Sequence, residues 1–155
     1  MKNNLNNNLH EVAITAIIKN KNKFLLVRRS KDKKRFPGYW TVPGGKLETS
    51  DYTQLKRDPN CSWQRYDRVL ERTLARELKE EVGIKTKNFK YLTSLAVIHQ
   101  GGIPSIVISC SADYVSGKIK LQREENDKYA WVTLSQAKKF KLLGGIYKEL
   151  KMAGN

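Results

Sequence analysis

At 155 residues and 39% hydrophobic content, the chain has the size of one packed domain and too much apolar content for a disordered polymer. No apolar run approaches the roughly 20 residues that cross a bilayer, and asparagine-rich Met1 to Leu9 lacks the apolar segment of a secretion signal, so a cytoplasmic location is expected. The net charge of +15 attracts polyanions (nucleotides, nucleic acid ends, anionic lipid) or reflects mere abundance of lysine, and both readings stay open.

Residues 1–9 are expected to be a disordered start, and residues 10–155 one domain. Glu11 to Ile18 and Phe24 to Arg28 are apolar and strand-like, and Asn20-Lys21-Asn22 supplies turn chemistry for a hairpin. The segment Pro37 to Gly45 holds two prolines and three glycines and is an irregular loop around a short extended piece. Residues 49–67 are polar, include Asp58-Pro59-Asn60, and are expected to be a loop insertion with little regular structure. Asp67 to Val82 is predicted to be a helix, rich in Leu, Arg, Glu and Lys, with Gly83 just past its end as a C-cap. Strands follow near Tyr91–Ile98 and Ser105–Tyr114, joined by Gly101-Gly102-Ile103-Pro104, and a further strand at Tyr129–Val132. Helices close the chain at Leu134–Phe140 and Ile146–Met152. There are no internal repeats and no linker. The two cysteines, Cys61 and Cys110, make neither a disulfide framework nor a metal pair and are read as reduced thiols, Cys110 in the core.

On a wheel of 100° per residue, Leu74, Ala75, Leu78 and Val82 share one arc of the central helix, which is expected to face the core, and Glu77, Glu80 and Glu81 share the next. Like charges at i, i+3 and i+4 destabilise an isolated helix. A hard divalent cation removes the conflict, since Mg²⁺ takes carboxylate oxygens together with phosphate oxygens. The alternative is a solvated acidic face with Lys79 and Lys85 nearby. Gly44-Gly45 can bring bare backbone close to phosphate or metal.

Gly45 followed by Arg76-Glu77-Leu78-Lys79-Glu80-Glu81-Val82-Gly83-Ile84 resembles the Nudix box, G-x(5)-E-x(7)-R-E-U-x-E-E-x-G-U with U a bulky aliphatic. The second half matches at every specified position. Arg28-Arg29 at a strand end and Tyr39-Trp40-Thr41-Val42-Pro43-Gly44-Gly45-Lys46-Leu47-Glu48 are similar to Nudix hydrolases of the MutT type. The spacing departs from the pattern, because the 49–67 segment stands inside the box. Counting back from Arg76, the first box glutamate falls on Arg68, which leaves Glu48, Asp67 or Glu71 as substitutes.

The resemblance implies an α+β fold, a Nudix α/β/α sandwich with a mixed sheet between helices. It implies that Glu77, Glu80 and Glu81 hold Mg²⁺ or Mn²⁺ together with the backbone carbonyl of Gly44 or Gly45, and that Arg76 orients the glutamates. One of these glutamates, or a carboxylate from a later loop, is to take the proton from the attacking water; Glu125 is the later candidate, or else a plain loop residue. Arg29 is a candidate for phosphate or else a solvated surface arginine, Lys46 a candidate for substrate binding, and Trp40 for the base or the core. His10 and His99 are assigned no role. The implied reaction is hydrolysis of a phosphoanhydride in a nucleoside diphosphate linked to another moiety, of the MutT nucleotide pyrophosphatase kind. The alternatives are an RNA 5′-end pyrophosphohydrolase and a non-catalytic nucleotide-sensing module. Expected partners are a nucleotide substrate, with a homodimer left open, nucleic acid not favoured and no membrane. The 49–67 segment, with Tyr52, Trp63 and Tyr66 for stacking and Lys56, Arg57 and Arg65 for phosphate, is either a lid over the site, or a surface decoration or dimer contact built on Trp63.

Overall fold

The structure is a computed structural model that describes residues 9–98 and 102–154. The expected disorder of residues 1–9 therefore falls, except for Leu9, outside the described residues, as do His99 and Gly101. The strands are β1 (Glu11–Asn20), β2 (Lys23–Arg29), β3 (Trp40–Thr41), β4 (Gly44–Lys46), β5 (Lys85–Val97), β6 (Ser105–Ser116) and β7 (Asn126–Val132). The helices are α1 (Ser50–Thr53), α2 (Val69–Glu81), α3 (Leu134–Ala137) and α4 (Ile146–Gly154).

Among the described residues these strands form one seven-stranded mixed sheet, with a main path β3-β2-β1-β6-β5. β1 and β6 run parallel over Glu11 to Lys19, and the other pairs are antiparallel. Alternation along β1 and β2 assigns the two faces, because successive strand side chains point to opposite sides. Ile14, Ala16, Ile18, Leu25 and Val27 pack with Leu74, Leu78 and Val82 of the α2 side. Ile17, Phe24 and Leu26 pack with Ala137, Ile146, Leu150 and Ala153 of α3 and α4. The result is the α/β/α sandwich, with a core on each face of the sheet.

One irregularity positions everything that follows. β1 and β2 pair only where the hairpin closes, at Lys19 opposite Phe24 and Asn20 opposite Lys23. The strands then part, and β4 takes the vacated edge of β1, with Ile14 opposite Gly45 and Thr15 opposite Gly44. The Ala16 N–H donates to the carbonyl of Pro43 at 3.0 Å, which seats the turn before β4 in the gap. Only glycine fits there: a Cβ on Gly44 would lie 2.3 Å from the Ile14 carbonyl oxygen and 2.6 Å from the Thr15 Cα.

Several element bounds differ from the sequence expectation. α2 starts at Val69, because Arg68 adopts a left-handed conformation (φ 59°) that a helix cannot continue through. Gly83, with φ 70°, follows the helix and donates to the Leu78 carbonyl, as the C-cap reading expects. The 49–67 segment is not wholly irregular, since α1 forms one helical turn at its start. β5 begins at Lys85, β6 runs on to Ser116, β7 starts at Asn126, and α3 stops at Ala137. Cys110 is buried in the α2-side core, and burial raises its thiol pKa. No helix among the described residues is long and apolar enough to cross a membrane.

Candidate active site

α2 presents leucines to the sheet and carboxylates beside them. Leu74, Leu78 and Val82 are fully buried in the core, whereas Ala75, expected there too, is exposed; the leucines fix the rotation of the helix and turn Glu77 and Glu81 toward β4. Glu81 is only 7% exposed. Its Oε2 accepts the Gly44 N–H at 2.9 Å and its Oε1 accepts the side-chain amide of Asn126 at 3.1 Å. Burial, followed by the repulsion of Glu77 and Glu125, pushes its pKa up to about 7 against the pull of those hydrogen bonds. The Glu77 carboxylate occupies the place where a Cβ on Gly45 would be, 2.1 Å from it, and burial raises its pKa as well. Glu80 sits at the rim with its side chain half exposed.

Arg76 ties these groups together. Its Nη1 lies 3.0 Å from Glu77 and 3.1 Å from Glu80, and its Nη2 donates to the Lys46 carbonyl at 3.1 Å. Its Nε and Nη2 together grip both carboxylate oxygens of Asp51 on α1. The Asp51 side chain is 2% exposed and also accepts the Thr73 hydroxyl and the Glu48 N–H, each at 2.9 Å. The guanidinium, with these donors, holds the Asp51 carboxyl down at about 2.

Asp51 is the residue that the sequence reading missed. None of the three proposed substitutes takes this position: the Glu48 side chain accepts from Ser50, Asp67 pairs with Arg65, and Glu71 faces Arg68. Counted forward from Gly45, the box places an acid after five residues, and that residue is Asp51. The box is therefore split after its first acid, and the added chain runs from Asp51 to α2. Arg76 stands 31 positions after Gly45, where the pattern has 14.

The remaining candidates are dispersed around this centre. Glu125 is anchored by the Ser30 N–H on its carbonyl at 2.9 Å, and its carboxylate meets the Lys33 ammonium. Arg29 donates through Nε to the Arg35 carbonyl at 3.0 Å, at the end of β2. Its neighbour Arg28 is committed to a two-point pair with Asp127, 2.7 Å on each arm. Trp40 packs edge-on against Phe140, centroids 4.8 Å apart, and is partly buried against the core on the α4 side. The Lys46 ammonium lies on Glu11 at 2.7 Å. In the added segment Tyr52 and Tyr66 are in ring contact at 5.5 Å, and Trp63 is 68% exposed.

The donors that meet at Gly44-Gly45 are all oxygens, which suits a hard divalent ion. Glu77 and Glu81 place carboxylate oxygens beside this backbone. In this conformation Arg76 engages Glu77 and Glu80, and no group of three metal-ligating side chains is assembled among the described residues.

The family model for the NUDIX domain matches residues 9–151, and the chain belongs to that family. The fold agrees with that membership, and Nudix hydrolases generally use divalent metal ions. Among curated proteins it is similar to the NAD-capped RNA hydrolase NudC of Vibrio atlanticus, at 28% identity over 138 residues, 88% of this chain and 42% of that protein. It is also similar to NudC of Erwinia tasmaniensis, 40% identical over 64 residues, 41% of this chain and 23% of the relative. The chain thus spans less than half the length of these relatives. Among solved structures, a MutT NUDIX hydrolase from Burkholderia pseudomallei superposes with a TM-score of 0.71 at 21% identity, covering 93% of this chain and 98% of that one, a likeness of fold.

Proposed function

We propose that this chain hydrolyses a phosphoanhydride bond in a nucleoside diphosphate linked to another moiety, in a metal-dependent reaction of the MutT nucleotide pyrophosphatase kind. The observation that carries this reading is the convergence of Glu77 and Glu81 on the bare backbone of Gly44-Gly45, with Glu81 pinned by the Gly44 N–H. Glu77, Glu80 and Glu81, with the carbonyl of Gly44 or Gly45, would hold Mg²⁺ or Mn²⁺. Such an ion supplies neutralisation of phosphate charge and a lowered pKa for a bound water.

The chain's own residues do the rest. Arg76, locked on Asp51, sets the spacing of Glu77 and Glu80. A carboxylate with a pKa near 7 is poised to take a proton at neutral pH, which suits Glu81 unless its charge is spent on the metal; Glu125 is then the base. Arg29, at the end of β2, offers a fork of donors to phosphate. Substrate phosphates would thereby lie between this arginine and the carboxylates of α2.

A second reading is a 5′-end hydrolase acting on capped or triphosphorylated RNA. It is favoured by the names of the two curated relatives and by the charge of +15. A product assay with Mg²⁺ over nucleoside triphosphates, dinucleotides, ADP-ribose and 5′-capped RNA separates the two. The leading reading expects turnover of free nucleotides. The RNA reading expects turnover of RNA ends alone, with affinity falling steeply in salt. No turnover of anything on the panel would leave a nucleotide-sensing module.

A further inference from the structure

The Glu125 carboxylate is engaged by a lysine from a distant part of the chain. Lys33, in the loop between β2 and β3, places its ammonium on the carboxylate of Glu125. The contact is held from both sides. The Glu125 backbone is fixed by the Ser30 N–H and by its own N–H on the Gln122 carbonyl. The Lys33 N–H closes a turn onto the Ser30 carbonyl at 3.2 Å. Ser30 thus binds both partners, so the loop and Glu125 form one unit. The next residue, Asn126, is 3% exposed and donates to Glu81, which puts Glu125 at the edge of the carboxylate cluster.

We propose that Lys33 is a substrate-phosphate residue that, in the free protein, caps Glu125 and keeps it from binding metal. The inference rests on the proposed reaction. An ammonium and a divalent cation cannot share one exposed carboxylate without repulsion, so metal binding through Glu125 requires Lys33 to leave. The phosphates of an arriving nucleotide offer Lys33 a more highly charged partner within the same loop, beside Arg29. Substrate then releases Glu125 at the moment when a base or an additional ligand is needed. The ordering is built in: the site gains its last carboxylate only with substrate present. Both members of the pair keep partial exposure, so the exchange needs only side-chain rotation.

The test measures Mn²⁺ alone, by electron paramagnetic resonance, on the wild type, Lys33→Met, Glu125→Gln, the double variant and Glu81→Gln, alongside KM for the nucleotide turned over best. Lys33→Gln serves as a second removal of the charge. Removing Lys33 should tighten Mn²⁺ binding about threefold, the scale of a partly exposed ion pair, and raise KM about tenfold. The gain in Mn²⁺ affinity should vanish in the double variant. A loss of packing alone would lower thermal stability without tightening Mn²⁺ binding. Unchanged Mn²⁺ affinity in both Lys33 variants, where the wild type binds Mn²⁺ and Glu81→Gln does not, overturns the cap and leaves the metal site standing. Absence of Mn²⁺ binding in the wild type overturns the metal reading, and this inference with it.

Discussion

Asp51→Asn isolates the contribution of the split box to stability and geometry. The substitution keeps the shape of the side chain, removes its charge, and turns an amide toward the donors of Arg76. The Asp51 carboxyl is held at about 2 against an ordinary 3.8. That difference corresponds to about 2 kcal/mol at 1.36 kcal/mol per pKa unit. With its side chain 2% exposed, solvent screening takes little of this away. For a chain of this length a loss of about 2 kcal/mol lowers Tm by roughly 4–8 °C. The pH dependence carries a definite sign. A carboxyl with a depressed folded pKa stabilises above its unfolded value, and the stabilisation fades as pH falls from about 3.8 through about 2. Urea unfolding of wild type and variant should therefore differ by about 2 kcal/mol at pH 7, with the gap closing below pH 4. Activity should fall by one to two orders of magnitude, because Arg76 no longer fixes Glu77 and Glu80. A gap under about 0.5 kcal/mol at pH 7, or one that persists unchanged to pH 2, would refute the clamp.

Glu81 has the opposite sign. Its carboxyl is raised from 4.5 to about 7, so the metal-free protein should lose stability as pH climbs from about 4.5 through about 7, by up to ~3 kcal/mol. Melts in EDTA should show this decline, Glu81→Gln should flatten it, and added Mg²⁺ should abolish it in the wild type. At Gly45, the nearest atoms an alanine methyl meets are the side-chain end of Glu77, which can give more easily than backbone, so Gly45→Ala should weaken Mn²⁺ binding while shifting Tm less than Gly44→Ala. At Gly44 the methyl meets the backbone of Ile14 and Thr15, so Gly44→Ala should cost several degrees of Tm, and equal melting of the two variants would contradict the packing. Replacing residues 54–66 by a short glycine-containing turn, with Asp51 kept, should alter the substrate ranking and leave the metal requirement intact; an unchanged ranking and unchanged KM across the panel would rule out a lid.

The parts of the site that follow from local pattern were legible in the sequence. The carboxylate strip, its leucine neighbours and the Gly83 cap all follow from helical period and one permissive residue. The first acid of the box was hidden by the direction of the count. Counting back from Arg76 crosses the added segment and ends on Arg68, whereas counting forward from Gly45 stays in the uninterrupted half and reaches Asp51. The parting of β1 and β2 could not be read from either strand, since both keep a strand-like alternation and only tertiary pairing decides which edge β4 fills. The Lys33–Glu125 contact spans 92 positions and joins two polar loops that carry no periodic signal.

The central claim is that the carboxylates of α2 on the Gly44-Gly45 backbone make a metal-dependent phosphoanhydride hydrolase. The most direct measurement is the rate of nucleoside monophosphate release from a nucleotide panel, with Mg²⁺ and with EDTA, for the wild type and for Glu81→Gln. The account predicts turnover of at least one nucleotide with Mg²⁺, none above background in EDTA, and a loss of tenfold or more on losing the Glu81 charge, equivalent to at least about 1.4 kcal/mol of transition-state stabilisation. Turnover that survives EDTA, or a Glu81→Gln protein that keeps more than about a tenth of the wild-type rate, would contradict it.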